Sequence, residues 1–194
     1  MTAEERIFSI VRGGLYAKLP SLALPLGRLT CREGDVDPAG TDGEAAVFAP
    51  GLLRREFLAE SDLPERLTLH LLLHLMLGHP WGRQGRARAL WDTACDLAVG
   101  LVRHALLPQE PETPAAFSAR CKLQARRAVR APAIYALLLE QPDALTAEEQ
   151  AAFYLDDHRL WQLSASASAP KTADGGAETG WQALGRKLPD PLPL

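Results

Sequence analysis

The chain has 194 residues, 47% of them hydrophobic and 23% charged, with a formal net charge of -3. Such a length buries one sizeable core, so a single domain is the default expectation. The charge balance gives no footprint for nucleic acid, and the richest apolar run, residues 67–79, is too short for a membrane span and carries three histidines.

The opening segment, MTAEERIFSIVRGG, starts on acidic residues without a long apolar run, which predicts a cytoplasmic protein rather than a secreted one. Within it Ile7, Ile10, Val11 and Leu15 recur at helical spacing behind Thr2 as cap and Glu5 three places on. A helix is predicted there, ending at Gly13 and Gly14. From Leu22 the texture becomes partly alternating, SLALPLGRLTC and GEAAVFAP, around the turn-rich EGDVDPAGTDG. This predicts a β-hairpin or two strands of a small antiparallel sheet. GLLRREFLAES is a short helix, and SDLPERLTLHLLLHLMLGH a longer one, capped by Ser61 or Asp62, with Pro64 in its first turn and Gly78 at its end.

Downstream, ARALWDTACDLAVGLVRHALL sets Leu90, Ala94, Leu97 and Leu101 along one stripe before Pro108 stops it. TPAAFSARCKLQARRAVRAP carries a basic face and APAIYALLLEQP reads as a short apolar helix; both are expected to cover the core. TAEEQAAFYLDDHRLWQL reads as one more helix, with Thr146 as cap and Glu149 three residues on. The expected organisation is a folded domain over 1–163, a low-complexity linker over 164–180, and a tail over 181–194 that either docks through Trp181 and Leu184 or trails free. Cys31, Cys95 and Cys121 are odd in number and lack any Cys-x-x-Cys spacing, so they predict neither a disulfide framework nor a thiolate metal site.

The chemistry concentrates in LTLHLLLHLMLGHPW. On a helix His70 and His74 differ by about 40° and present imidazoles one turn apart on one face, with Cβ atoms about 6 Å apart. Both can reach one ion at the distances of about 2.0–2.1 Å that zinc takes. His79 would point away from them on a continuous helix; with Gly78 before it and Pro80 after, it either folds back toward the ligand face or caps the last turn. One helix cannot complete a tetrahedron, and Asp96, 22 residues beyond His74 in an apolar helix, is the best further ligand, because a buried acid needs a partner. Each of these residues alone would be an ordinary core or surface group. Together they are three of the chain's five histidines within ten positions of its most apolar helix, which favours a metal.

Taken with LWDTACDLAVG, DDHRLW and TDGEAAVFAPGLL, this run resembles the zincin-like metallopeptidase domain that bacterial proteins carry ahead of a von Willebrand factor A-like domain. The resemblance covers roughly residues 41–161. It implies an α+β, mostly helical zincin-like fold, a zinc held by His70, His74 and Asp96, and AAVFAP as the edge strand beside the active-site cleft, where extended peptide pairs. In that family the residue after the first histidine is a glutamate that handles the protons of the zinc-bound water; here it is Leu71. Asp92 and Gly100 also stand where the family has asparagines. Asp157 or His158 would have to replace the missing base. The implied function is a metal-binding, catalytically impaired metallopeptidase-like protein that recognises a peptide or protein. An active hydrolase with a relocated base and a metal-free helical scaffold are the alternatives. No von Willebrand factor A-like half follows Trp161, so a partner supplies it in trans or the domain works alone.

Overall fold

The computed structural model describes residues 1–107, 130–161 and 180–185. Cys121, most of the segment with the basic face and nearly all of the expected linker lie outside the described residues. The chain forms two compact units. The first is Met1–Gly82 together with Asp156–Lys187, and the second is built on Arg83–Leu155.

In the first unit, α1 (Ala3–Lys18) starts at a complete capping box, with Glu5 N donating to Thr2 Oγ1 at 3.1 Å and Thr2 N to Glu5 Oε2 at 2.7 Å. It runs through Gly13 and Gly14, where it was expected to end. Leu15 is 1% exposed and Lys18 pairs with Glu65, so tertiary contacts outweigh a helix penalty of about 1 kcal/mol per glycine. The next segment also departs from expectation. SLALPLGR is not a strand: a 3-10 turn (Pro20–Leu22) leads into α2 (Ala23–Arg28). Leu22, Leu26 and Leu29 are all buried, which is the helical period, while Leu24 is 62% exposed.

Three short strands follow: β1 (Thr30–Glu33), β2 (Ala39–Thr41) and β3 (Ala45–Phe48). They lie in the order β1-β3-β2, with β2 antiparallel to β3 and β1 parallel to it. The sheet is therefore mixed rather than purely antiparallel. AAVF is its central strand, not an edge; all four residues are buried, as befits a strand flanked on both sides. The hairpin joins β2 to β3 through a turn whose chemistry is local. Asp42 Oδ1 accepts from Glu44 N and Ala45 N, both at 2.9 Å, and Thr41 Oγ1 donates to Ala45 O at 2.8 Å. Beyond β2, the backbone of Asp157 forms a parallel bridge to Gly40, its N–H donating to Ala39 O at 2.7 Å.

Helix α3 (Leu52–Leu58) and the apolar α4 (Leu63–Leu77) complete the first unit's frame. α4 packs against α1 and α3, which is why its leucines at 67, 69, 71, 72, 73 and 75 are all at most 1% exposed. It stops at Gly78, whose φ of 73° is left-handed, and His79–Trp81 then form a 3-10 turn. Near the other end of the chain, α8 (Gly180–Gly185, the eighth α-helix among the described residues) packs on α4 and α2, with Trp181 buried and the Arg28 guanidinium 4.9 Å from its ring centre. Of the expected tail, the described residues dock through Trp181.

The second unit holds α5 (Arg88–Leu106), α6 (Ala131–Glu140) and α7 (Ala147–Phe153). Arg86 stacks over Trp91 at 4.9 Å and over Tyr135 at 5.8 Å, fastening the start of α5 to α6. α7 has the expected Thr146–Glu149 capping box but ends at Phe153, eight residues before Trp161. Residues 154–157 leave the helix instead, with a bend at Asp156, and His158–Leu160 form a 3-10 turn. Among the described residues no helix is long and apolar enough to cross a membrane.

Candidate metal centre

Three of the chain's five histidines, His70, His74 and His158, enter one buried cluster in the first unit. His70 and His74, one turn apart on α4, are 1% and 0% exposed, and their Nε2 atoms lie 2.9 Å apart. The chain from Asp156 onward brings a carboxylate to the same place. Asp156 Oδ1 stands 2.9 Å from His70 Nε2, 3.7 Å from His74 Nε2 and 3.0 Å from His158 Nε2. Trp161 closes over the imidazoles, its ring centre 3.9 Å from that of His158 and 5.1 Å from that of His74.

Asp156 was not among the expected residues; its neighbour Asp157 was. Backbone geometry separates them. The chain leaves α7 at Phe153 and bends at Asp156, so that the Asp156 carboxylate meets His158 and His70 while the Asp157 carboxylate lies at Arg159. There Asp157 Oδ2 accepts from Arg159 Nε at 2.7 Å and Oδ1 accepts from Arg159 N at 2.9 Å. Both its oxygens are engaged away from the histidines. The pattern Asp-x-His was the available signal, concealed by reading the segment as helix.

His79 folds back, as the glycine before it permits. Its Nδ1 lies 3.0 Å from His74 Nδ1, on the side of that ring opposite the cluster. Asp96 is 3% exposed in α5 of the second unit. Leu71, beside His70, is 0% exposed. Cys95 is buried and Cys31 half-buried; burial, with the nearby Glu5 carboxylate adding to it, pushes the Cys31 thiol up to about 11.

Asp156 is fully buried, which opposes its ionisation, but the facing imidazoles of His158, His74 and His70 outweigh burial and hold its carboxyl well below the ordinary range. Its Oδ2 is buried with no hydrogen-bond partner among the described residues. Proton placement is also strained here: a proton on His70 Nε2 directed at Asp156 leaves none for its equally close contact with His74 Nε2. A cation between these atoms removes the conflict. Donors each about 2.0–2.1 Å from a tetrahedral ion lie about 3.3 Å apart, within the observed spread of 2.9–3.7 Å. The buried imidazoles and carboxylate therefore fit a divalent metal ion.

Comparison with curated proteins and with solved structures yields no match. A helix presenting two histidines one turn apart, a facing carboxylate and a mostly helical frame with a small sheet agree with a family profile that covers most of the sequence: across residues 13–182 this chain belongs to the family described as "Putative metallopeptidase domain".

Proposed function

We propose that this protein is a metal-binding, metallopeptidase-like domain with impaired hydrolytic chemistry that acts in recognition of a peptide or protein. The observation that carries the reading is a convergent donor set, His70, His74 and Asp156, beside an apolar, fully buried Leu71 where the resemblance places a glutamate. Zinc is the proposed ion, since imidazole and carboxylate donors suit its tetrahedral preference. Asp96, the carboxylate implied by the resemblance, is proposed as the further ligand. When bound, the ion would supply Lewis acidity. General acid-base work, typically about 10²- to 10⁴-fold, needs a carboxylate or imidazole within reach of the reacting proton, and leucine supplies none. Asp157, held by Arg159, is a poor substitute.

Recognition of extended peptide is assigned to β1, the strand edge that among the described residues pairs on one side only. A von Willebrand factor A-like protein, in the cytoplasm, is the first partner to test. A second reading, hydrolysis with His158 as base, draws on the 3.0 Å contact between His158 Nε2 and Asp156 Oδ1.

Elemental analysis of the purified protein, with His70→Ala and Asp156→Ala alongside, tests the first reading. About one zinc per chain, lost in both variants, and no cleavage of a fluorogenic casein substrate are expected. Cleavage abolished in His158→Gln with its zinc intact would establish the second reading instead. A chain that takes up no added zinc would overturn both.

A further inference from the structure

We propose that His79 is a positioning residue for the metal centre: it accepts the Nδ1 proton of His74 and so leaves His74 Nε2 bare toward the cluster. This rests on the metal-binding reading above and concerns a residue that does not face the ion. His74 has two ring nitrogens with separate partners. Nε2 faces His70 Nε2 at 2.9 Å and Asp156 Oδ1 at 3.7 Å, whereas Nδ1 faces His79 Nδ1 at 3.0 Å. A neutral imidazole carries one proton, so the direction of the Nδ1 to Nδ1 hydrogen bond decides the state of Nε2. If His74 Nδ1–H donates, His79 carries its own proton on Nε2 and His74 offers a lone pair to the cluster. If His79 donates instead, the His74 proton sits on Nε2 and blocks ligation.

The chain builds this contact deliberately into the end of α4. Gly78 adopts φ 73° and ψ 21°, a conformation that would strain a residue with a β-carbon, and it reverses the path so that residue 79 faces back along the helix. Pro80 then fixes the 3-10 turn, and the His79 ring meets the His74 ring edge-on, with centres 5.0 Å apart at 73°. His79 is 4% exposed, so the pair is shielded from competing water. Partners on the far nitrogen of a ligating histidine fix its tautomer and ring angle, and their loss typically weakens metal affinity by about 10- to 100-fold.

Two measurements test the proposal. Long-range proton-nitrogen correlation spectra of the metal-free full chain, at a pH about two units above the ordinary imidazole value of about 6.5, report which His74 nitrogen carries the proton. Protonation at Nδ1 is expected; protonation at Nε2 overturns the proposal. Competition of zinc against a chelating dye then compares the parent with His79→Leu and His79→Asn, after circular dichroism has checked folding. The leucine variant should bind about 10- to 100-fold more weakly, whereas asparagine, whose side-chain oxygen can accept the same proton, should stay within about threefold. Equal binding by the leucine variant, or equal loss in both, overturns the assignment. A parent chain that binds no zinc sinks the metal-binding reading, and the spectra still decide the role of His79 because they use no metal.

Discussion

Asp156 and Asp157 are adjacent acids and both buried, yet their partners give them opposite tasks. Asp156→Asn keeps the size of the side chain while removing its charge, and it should abolish zinc uptake in a chelator-dye titration. Asp157→Asn should leave uptake within about threefold and lower stability by at most about 1 kcal/mol, since its ion pair with Arg159 is half exposed on the arginine side. Equal loss of zinc in both variants would contradict the assignment. Leu71 calls for a different experiment. Its side chain is packed on all sides, so Leu71→Ala should cost about 2–5 kcal/mol in denaturant unfolding while zinc stoichiometry stays unchanged. At this scale the sequence was readable where helical spacing settles direction: His70 and His74 fall together because residues four apart on a helix must. It was not readable at 156 and 157, because which of two adjacent acids faces inward depends on a bent, non-helical segment that a strong helix signal, Thr146 to Glu149, made look helical.

Among the elements, the β2–β3 hairpin depends on Asp42. Burial pushes its carboxyl upward, but the N–H groups of Ala45 and Glu44 and the Arg32 guanidinium outweigh this and hold the value below the ordinary carboxylate range. A depressed folded value means that the stability contributed by Asp42 is fully present above its unfolded value, about 3.9, and is lost as pH falls through the lower folded one. Asp42→Asn should therefore reduce stability at neutral pH and flatten the acid limb of the stability curve between about pH 5 and 2, as read by urea unfolding across that range. Gly40 tests the next contact outward. A β-carbon there would sit 2.5 Å from the backbone oxygen of Asp157, which cannot swing aside like a side chain. Gly40→Ala should displace the segment that carries Asp156 and His158, and so weaken zinc binding at least tenfold despite lying outside the donor set. The helices α3, α4, α5 and α6 were legible from periodicity, and α1 and α7 from their capping boxes as well. The stretch before Thr30 was not, because LALPL satisfies both an alternating and a helical pattern, and only the burial of Leu22, Leu26 and Leu29 decides between them. Strand order was equally hidden: the pairing of β1 with β3 joins segments that no local turn connects.

For the whole molecule, His70 and Asp156 are 86 positions apart in sequence, so an ion held by both ties distant parts of the chain together. Native-state binding adds stability by mass action, about 2.7 kcal/mol at a free ion concentration one hundred times Kd. Each kcal/mol moves the midpoint of a chain this size by about 2–4 °C, so chelation should lower Tm by about 5–11 °C in calorimetry. No shift on chelation of a zinc-loaded sample would mean that the ion does not join these parts.

The parallel bridge between Gly40 and Asp157 has a colloidal consequence. It covers the outer backbone groups of β2, and an uncovered strand edge is a template for pairing with another molecule. Because the residue that covers this edge lies between Asp156 and His158, stripping the metal should loosen the cover and turn β2 adhesive. Metal-free protein is then expected to self-associate on warming, seen as rising light scattering with concentration, and readdition of zinc before warming should suppress it.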